Sequence, residues 1–233
     1  MADYTLDLGD VLVRIVTGTF IKGSTAPKIT DGTTTVTGVI SDDLLTITFA
    51  GFGTLTASHA TESVVTFTAD AAAPAGTYAF IGSTGQASGG NLKPYNVTIV
   101  NAAAMTNAMT LADDDITNIT TGAGADSITT TTAASIVTGA GNDTVTAGKT
   151  AKVITLGAGD DSLTAAVGAD ADISAGAGND TLDLSAAKDE GAVTVVKEVG
   201  LGAGDDAVTF AAGTGATLTA AVGGFAGKDT ITA

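Results

Sequence analysis

The sequence predicts an all-β chain of two parts: a β-sandwich over residues 1–110, then a parallel β-roll or β-helix solenoid of about six coils over residues 111–233. Three observations predict it. A Gly-Ala-Gly-x-Asp stretch recurs five times in the second half. Two series of aliphatic residues keep a fixed offset from every copy. In the first half, short runs rich in β-branched residues alternate with turn residues.

The first half supplies seven candidate strands, at residues 11–16, 33–40, 44–49, 54–57, 64–69, 77–81 and 96–100. Asp31-Gly32 is a good hairpin turn, because both residue types tolerate the left-handed backbone that such turns need. That number of short strands with frequent turns suggests a sandwich. The stretch Pro74-Ala-Gly-Thr-Tyr78 resembles the corner before a late strand of immunoglobulin-like domains, which implies an immunoglobulin-like sandwich. Residues 82–93 are rich in Gly and Ser and predict a mobile loop. Residues 101–109 predict a short linking helix or a first capping strand. Asp113-Asp-Asp115 precede Ile116 and Ile119 and are expected to begin the first coil.

The second half is periodic. The five copies occupy residues 122–126, 139–143, 157–161, 176–180 and 202–206, and a frayed sixth reads Phe225-Ala-Gly-Lys-Asp229. Steps of 17, 18, 19, 26 and 23 residues separate them. Periods of this size mark a solenoid in which each repeat is one coil. Two residues after each Asp stand Ile128, Val145, Leu163, Leu182, Val208 and Ile231. Three residues before each motif stand Ile119, Ile136, Ile154, Ile173, Val199 and Val222. Length variation is confined to the far turns, near residues 131–135, 148–152, 166–172, 185–195 and 211–217. Each coil therefore reads as turn, strand, variable turn, strand. A single coil cannot bury its apolar face, so neighbours stabilise one another.

On these motifs the chain resembles the RTX family of calcium-binding β-rolls, whose nonapeptide is G-G-x-G-x-D-x-U-x. The match runs from the second glycine to the apolar U position and covers about half the chain. The resemblance implies calcium, a hard cation that prefers oxygen ligands. It implies that Asp126, Asp143, Asp161, Asp180 and Asp206 carry the side-chain oxygens. The carbonyls of Gly122, Gly124, Gly139, Gly141, Gly157, Gly159, Gly176, Gly178, Gly202 and Gly204 would complete the shells. Two departures stand out. The first Gly of the family is replaced by Thr121, Thr138, Leu156, Ala175 and Leu201. The far turns carry no motif, so a single file of ions along one edge is expected.

Charge follows the repeat. The formal net charge is −16, of which −4 falls in residues 1–110 and −12 in residues 111–233. Without counterions those carboxylates repel one another, and the bare roll is expected to be loose or unfolded. Extracellular calcium modules bind with Kd on the order of 10⁻⁴–10⁻³ M. Such a roll would stay unfolded in the cytosol and lock after export.

Other chemistries find little support. Cysteine is absent, which removes disulfides and thiolate metal sites. His59 is the only histidine, and its polar neighbours suit a surface turn better than a catalytic triad. The Gly-Ala-Gly copies lack the third glycine and the following helix of a dinucleotide site. Nine Lys and Arg in an acidic chain argue against nucleic acid. No apolar run reaches the length of a membrane span, so membrane insertion is not expected. The N-terminus lacks a basic region and an apolar core, so export without an N-terminal signal peptide is expected, as in type I secretion.

The expectation is a non-enzymatic, calcium-dependent extracellular or cell-surface protein. Its expected partners are copies of itself, in a surface layer or filament. Alternatives are an adhesin, whose sandwich head would bind a cell-surface glycan on a calcium-stiffened stalk, and a virion decoration protein. A secreted enzyme would need His59.

Overall fold

The computed structural model describes residues 2–7, 12–14, 19–21, 27–40, 46–57, 65–81, 92–94, 97–166, 171–186, 198–210 and 221–232. In chain order the first strands are β1 (Ala2–Asp7), β2 (Leu12–Arg14), β3 (Thr19–Ile21), β4 (Lys28–Thr30), β5 (Thr35–Thr37), β6 (Val39–Ile40), β7 (Thr46–Phe49) and β8 (Gly53–Ala57). There follow β9 (Val65–Ala69), β10 (Gly76–Ile81), β11 (Leu92–Pro94), β12 (Val97–Asn101), β13 (Met109–Ala112) and β14 (Asn118–Thr120). The coils continue with β15 (Ser127–Thr130), β16 (Ser135–Ala140), β17 (Thr144–Ala147), β18 (Val153–Ala158), β19 (Ser162–Ala165), β20 (Asp172–Ala177) and β21 (Thr181–Leu184). The last are β22 (Glu198–Ala203), β23 (Ala207–Phe210), β24 (Ala221–Ala226) and β25 (Thr230–Thr232).

Two sheets of eleven strands hold all but three of the described strands. The first runs β25-β23-β21-β19-β17-β15-β13-β10-β1-β4-β5, and the second runs β24-β22-β20-β18-β16-β14-β12-β9-β8-β7-β6. Strands β2, β3 and β11 form a separate antiparallel sheet. From β12 onward successive strands alternate between the two large sheets and pair in parallel with their neighbours, which is the topology of a two-sheet β-solenoid.

Alternation along each strand decides what is buried. In β17, Val145 and Ala147 face inward while Thr144 and Thr146 face solvent. The predicted ladders form with the register intact: Ile128 pairs with Val145, Val145 with Leu163, Leu163 with Leu182 and Leu182 with Val208. Ile119, Ile136, Ile154, Ile173 and Val199 stack in the same way on the other sheet. All of these side chains are buried. The residues that replace the first family glycine, Thr121, Thr138, Leu156, Ala175 and Leu201, are buried too. Inward-facing Ala133, Ala151 and Ala171 close the far side.

The first half departs from expectation. A separate immunoglobulin-like sandwich is not set apart. Instead β9 pairs in parallel with β12, and β10 with both β13 and β1. The coiling therefore starts two turns before the first Gly-Ala-Gly copy. Residue 110 lies in β13, and both sheets run across it. The turns at 70–75 and 102–108 replace the motif with other contacts. There the Asn107 amide donates to the Ala73 carbonyl at 2.9 Å, and Thr106 N–H donates to the Ala71 carbonyl at 3.1 Å. Antiparallel strands cover this end: β6 to β9 form a meander, and β4 and β5 extend the first sheet beyond β1. Aromatic residues fill the wider core here, with Phe67 packed against Tyr78 and Phe80 at ring-centroid distances of 6.4 and 5.2 Å.

Several local expectations hold. Asp31 and Gly32 turn the β4–β5 hairpin: Gly32 has φ of 88°, and the Asp31 carboxylate accepts the Thr33 and Thr34 N–H groups. Tyr78 donates its hydroxyl to the Pro74 carbonyl at 2.7 Å, closing the Pro74–Tyr78 corner on a solenoid coil. Residues 101–109 contain the end of β12, a turn and the start of β13, with no helix. Asp113 and Asp115 close the next far turn through the Asp115 N–H, and the Asp114 carboxylate holds Thr131 of the following coil. Residues 82–91 of the expected loop lie outside the described residues, as do 167–170, 187–197 and 211–220 of the far turns.

The packing makes one comparison testable. Ile154 is fully buried, whereas the adjacent Val153 is 43% exposed. Ile154→Ala should lower unfolding stability by about 2–5 kcal/mol, and Val153→Ala should stay within about 0.5 kcal/mol of the parent. Denaturant melts of the two variants check this.

Candidate cation site along the near edge

Each near turn carries the chain from one large sheet to the other and stacks on the next turn at the strand spacing of about 4.7–4.9 Å. Glycine allows it. Gly157 has φ of 111°, and a Cβ there would lie 1.9 Å from the Gly139 carbonyl oxygen. Gly159 has φ of 135°, and its Cβ would lie 2.0 Å from the Gly141 oxygen. The same close approach recurs at Gly139, Gly141, Gly176, Gly178, Gly202 and Gly204. The carbonyls of Gly122 and Gly124 abut Gly139 and Gly141 in turn. The glycine carbonyls thus face along the stack toward the next coil. Gly122 O also accepts the Ala140 N–H at 2.8 Å.

Beside these glycines the five predicted aspartates form one column. Oδ1 of Asp143 accepts the Asp126 N–H at 2.7 Å. Asp161 accepts from Asp143 at 2.7 Å, Asp180 from Asp161 at 2.9 Å and Asp206 from Asp180 at 2.8 Å. Asp126 accepts from Met109 N–H at 2.7 Å, and Asp229 of the sixth coil accepts from Asp206 at 3.1 Å. Each carboxylate thereby reaches back one coil. Asp126, Asp143, Asp161, Asp180 and Asp206 are 1–2% exposed. Their second oxygens, Oδ2, are buried and lack a hydrogen-bond partner in all five.

A buried carboxylate oxygen with no partner is costly. Burial pushes the pKa values of Asp126, Asp143 and Asp180 up from the ordinary carboxylate value, and that of Asp161 up to about 6. Charge on Asp143 and Asp180 adds to the effect at Asp161. The hydroxyls of Thr121 and Thr138 lie near the first two carboxylates and oppose the shift. Their protons are directed elsewhere, to the Thr138 and Leu156 carbonyls at 2.9 and 2.6 Å. In later coils the same position is Leu156, Ala175 or Leu201, which offers no hydroxyl.

A second ladder, which sequence reasoning missed, runs beside the first on the exposed side. The Asn142 Oδ1 accepts the Asp160 N–H at 3.0 Å, and Asp160 accepts the Asn179 N–H at 2.8 Å. Asn179 then accepts from Asp205 at 2.8 Å, and Asp205 from Lys228 at 2.9 Å. These bonds run forward along the stack, opposite to those of the buried column. The signal was present in the x position of the motif, which reads Ala125, Asn142, Asp160, Asn179, Asp205, Lys228. Alternating Asn with Asp keeps the acceptor at each step while separating the charges.

The donor set suits a hard divalent cation: unpartnered carboxylate oxygens in file, with carbonyl oxygens on the same edge. Among the described residues no group of three or more His, Cys, Asp or Glu side chains has metal-binding geometry. Backbone oxygens would therefore have to supply much of any shell. His59 lies outside the described residues. In comparisons with protein-family models, curated proteins and solved structures, no match to this chain is found.

Two predictions follow from the column. A raised carboxyl pKa favours the protonated folded form, so its contribution to stability is present at low pH and lost as pH rises through the folded value. Freed of divalent ions by chelator, the protein should melt higher at pH 5 than at pH 7, because Asp161 titrates near 6 in the fold. Calcium should reverse the trend, since it needs ionised carboxylates; thermal melts with and without calcium check the sign. Secondly, Asp161→Asn keeps an acceptor for the Asp143 N–H and removes the charge. It should raise the melting temperature in chelator and shrink the gain on adding calcium. Asp161→Ala strands that N–H and should cost about 1–3 kcal/mol in chelator.

Proposed function

We propose that this chain is a non-enzymatic, calcium-dependent extracellular structural protein that assembles with copies of itself into a surface layer or filament. The observation that carries the reading is the file of five buried Oδ2 atoms without partners. Asp126, Asp143, Asp161, Asp180 and Asp206 would hold the ions, with glycine carbonyls of the near turns as further ligands. Bound calcium would supply positive charge between carboxylates that otherwise repel one another. Its binding energy becomes folding energy, because the site exists only when the coils are stacked.

Assembly is supported by the sheet edges. Strand β6 carries Val39 at 71% exposure, and β25 carries Ile231 at 48%. Among the described strands both stand outermost in their sheets. Unpaired edges with exposed apolar side chains favour strand addition from another chain. Export, and the millimolar calcium found outside cells, would couple both steps to location.

Titrating the full chain with calcium should increase β-sheet circular dichroism and produce ordered polymers in electron micrographs. Magnesium should act more weakly, because it demands a smaller, near-octahedral shell. An unchanged spectrum in chelator and calcium would overturn the calcium reading. A calcium-folded protein that stays monomeric at high concentration would overturn assembly alone.

A further inference from the structure

The outer face of the first sheet is chemically uniform in a way the second is not. In one rank Ser127, Thr144, Ser162 and Thr181 follow one another in register on successive strands, and the rank continues through Ala207 to Thr230. Beside them run Thr129, Thr146 and Thr164, then Asp183, then Thr209 and Thr232. Most of these side chains are exposed. Asp183 is the only charged residue in either rank from β15 to β25. Its carboxylate accepts the Ser185 N–H at 3.0 Å, at the margin of the sheet.

Strand propensity alone favours threonine on such a surface. The second sheet is built by the same coils, and there one outward rank, Thr120, Val137, Thr155 and Ser174, carries hydroxyls while the other is charged. That other rank reads Asn118, Ser135, Val153, Asp172 and Glu198. A pair of hydroxyl ranks with Asp183 as its single charge is therefore a property of the first face, in a chain of net charge −16.

Each threonine offers a hydroxyl that both donates and accepts, beside a methyl group. Rungs repeat about every 4.8 Å, and the two ranks lie two residues, roughly 6.6–6.8 Å, apart. Both spacings are close to repeat distances of the hexagonal ice lattice. A plane of methyls and hydroxyls at those intervals can hold water in a lattice-like layer, whereas charges would impose their own hydration shells. A protein partner fits less well, because interface cores are enriched in aromatic residues, Met and Arg and depleted in Ser. We propose that the outer face of the first sheet, from β15 to β25, binds ice. The inference concerns a different surface from the cation column and does not depend on assembly.

The test is ice affinity with the full chain in calcium buffer. Wild-type protein should be enriched in a slowly growing ice hemisphere and should restrain ice recrystallisation. Thr146→Lys/Thr164→Lys, placed at the middle of the face, should lose that enrichment several-fold while keeping the parent circular dichroism. Ser174→Lys, on the opposite sheet, should behave as the parent. Exclusion of the wild type from ice would overturn the proposal, even if it bound crystalline polysaccharide or another copy of itself. Equal enrichment of all three proteins would overturn it as well.

Discussion

Each near turn depends on a carboxylate contributed by the following coil. The bond from Asp143 to the Asp126 N–H satisfies a buried donor that no strand pairing reaches, and the same bond recurs up the stack. It also leaves the other oxygen of each of the five buried carboxylates without a hydrogen-bond partner among the described residues. The fold thus gains local order at the turn and incurs an electrostatic cost along the edge. Protons or divalent cations can offset that cost, and they do so at opposite ends of the pH scale.

Much of the coil was legible because its constraints are local and repeated. Glycine fits where a neighbouring carbonyl lies about 2 Å from any Cβ, as at Gly157, so the motif marks the five turns from Gly122 to Asp206. The ladders of Ile136 and Val145 were readable for a similar reason: side-chain period is fixed by the strand, and stacking requires each coil to repeat it. Variation in far-turn length left both ladders in register.

What was not legible lies where the constraint is not local. Alternating β-branched residues at 65–69 and 76–81 say that strands form, but not whether partners run parallel or antiparallel. These strands wind as coils because β1, β12 and β13 lie alongside them. Their turn at 70–75 contains Ala and Pro and is held by Thr106 and Asn107, so no motif advertised it. The exposed Asn–Asp ladder escaped for a different reason. A polar residue in a turn usually faces water, and only the stacking shows that Asn142 and Asp160 accept backbone bonds.

That alternation has a consequence for how such a chain can grow or shrink in evolution. By backbone and core the unit is one coil, but by edge chemistry it is two. Excising the single coil that contains Asp160 would seat Asn142 directly beneath Asn179, and excising the one with Asn179 would set two negative groups, Asp160 and Asp205, on adjacent rungs. Removing or duplicating coils in pairs keeps the order intact, so lineages of this architecture should change length in even steps.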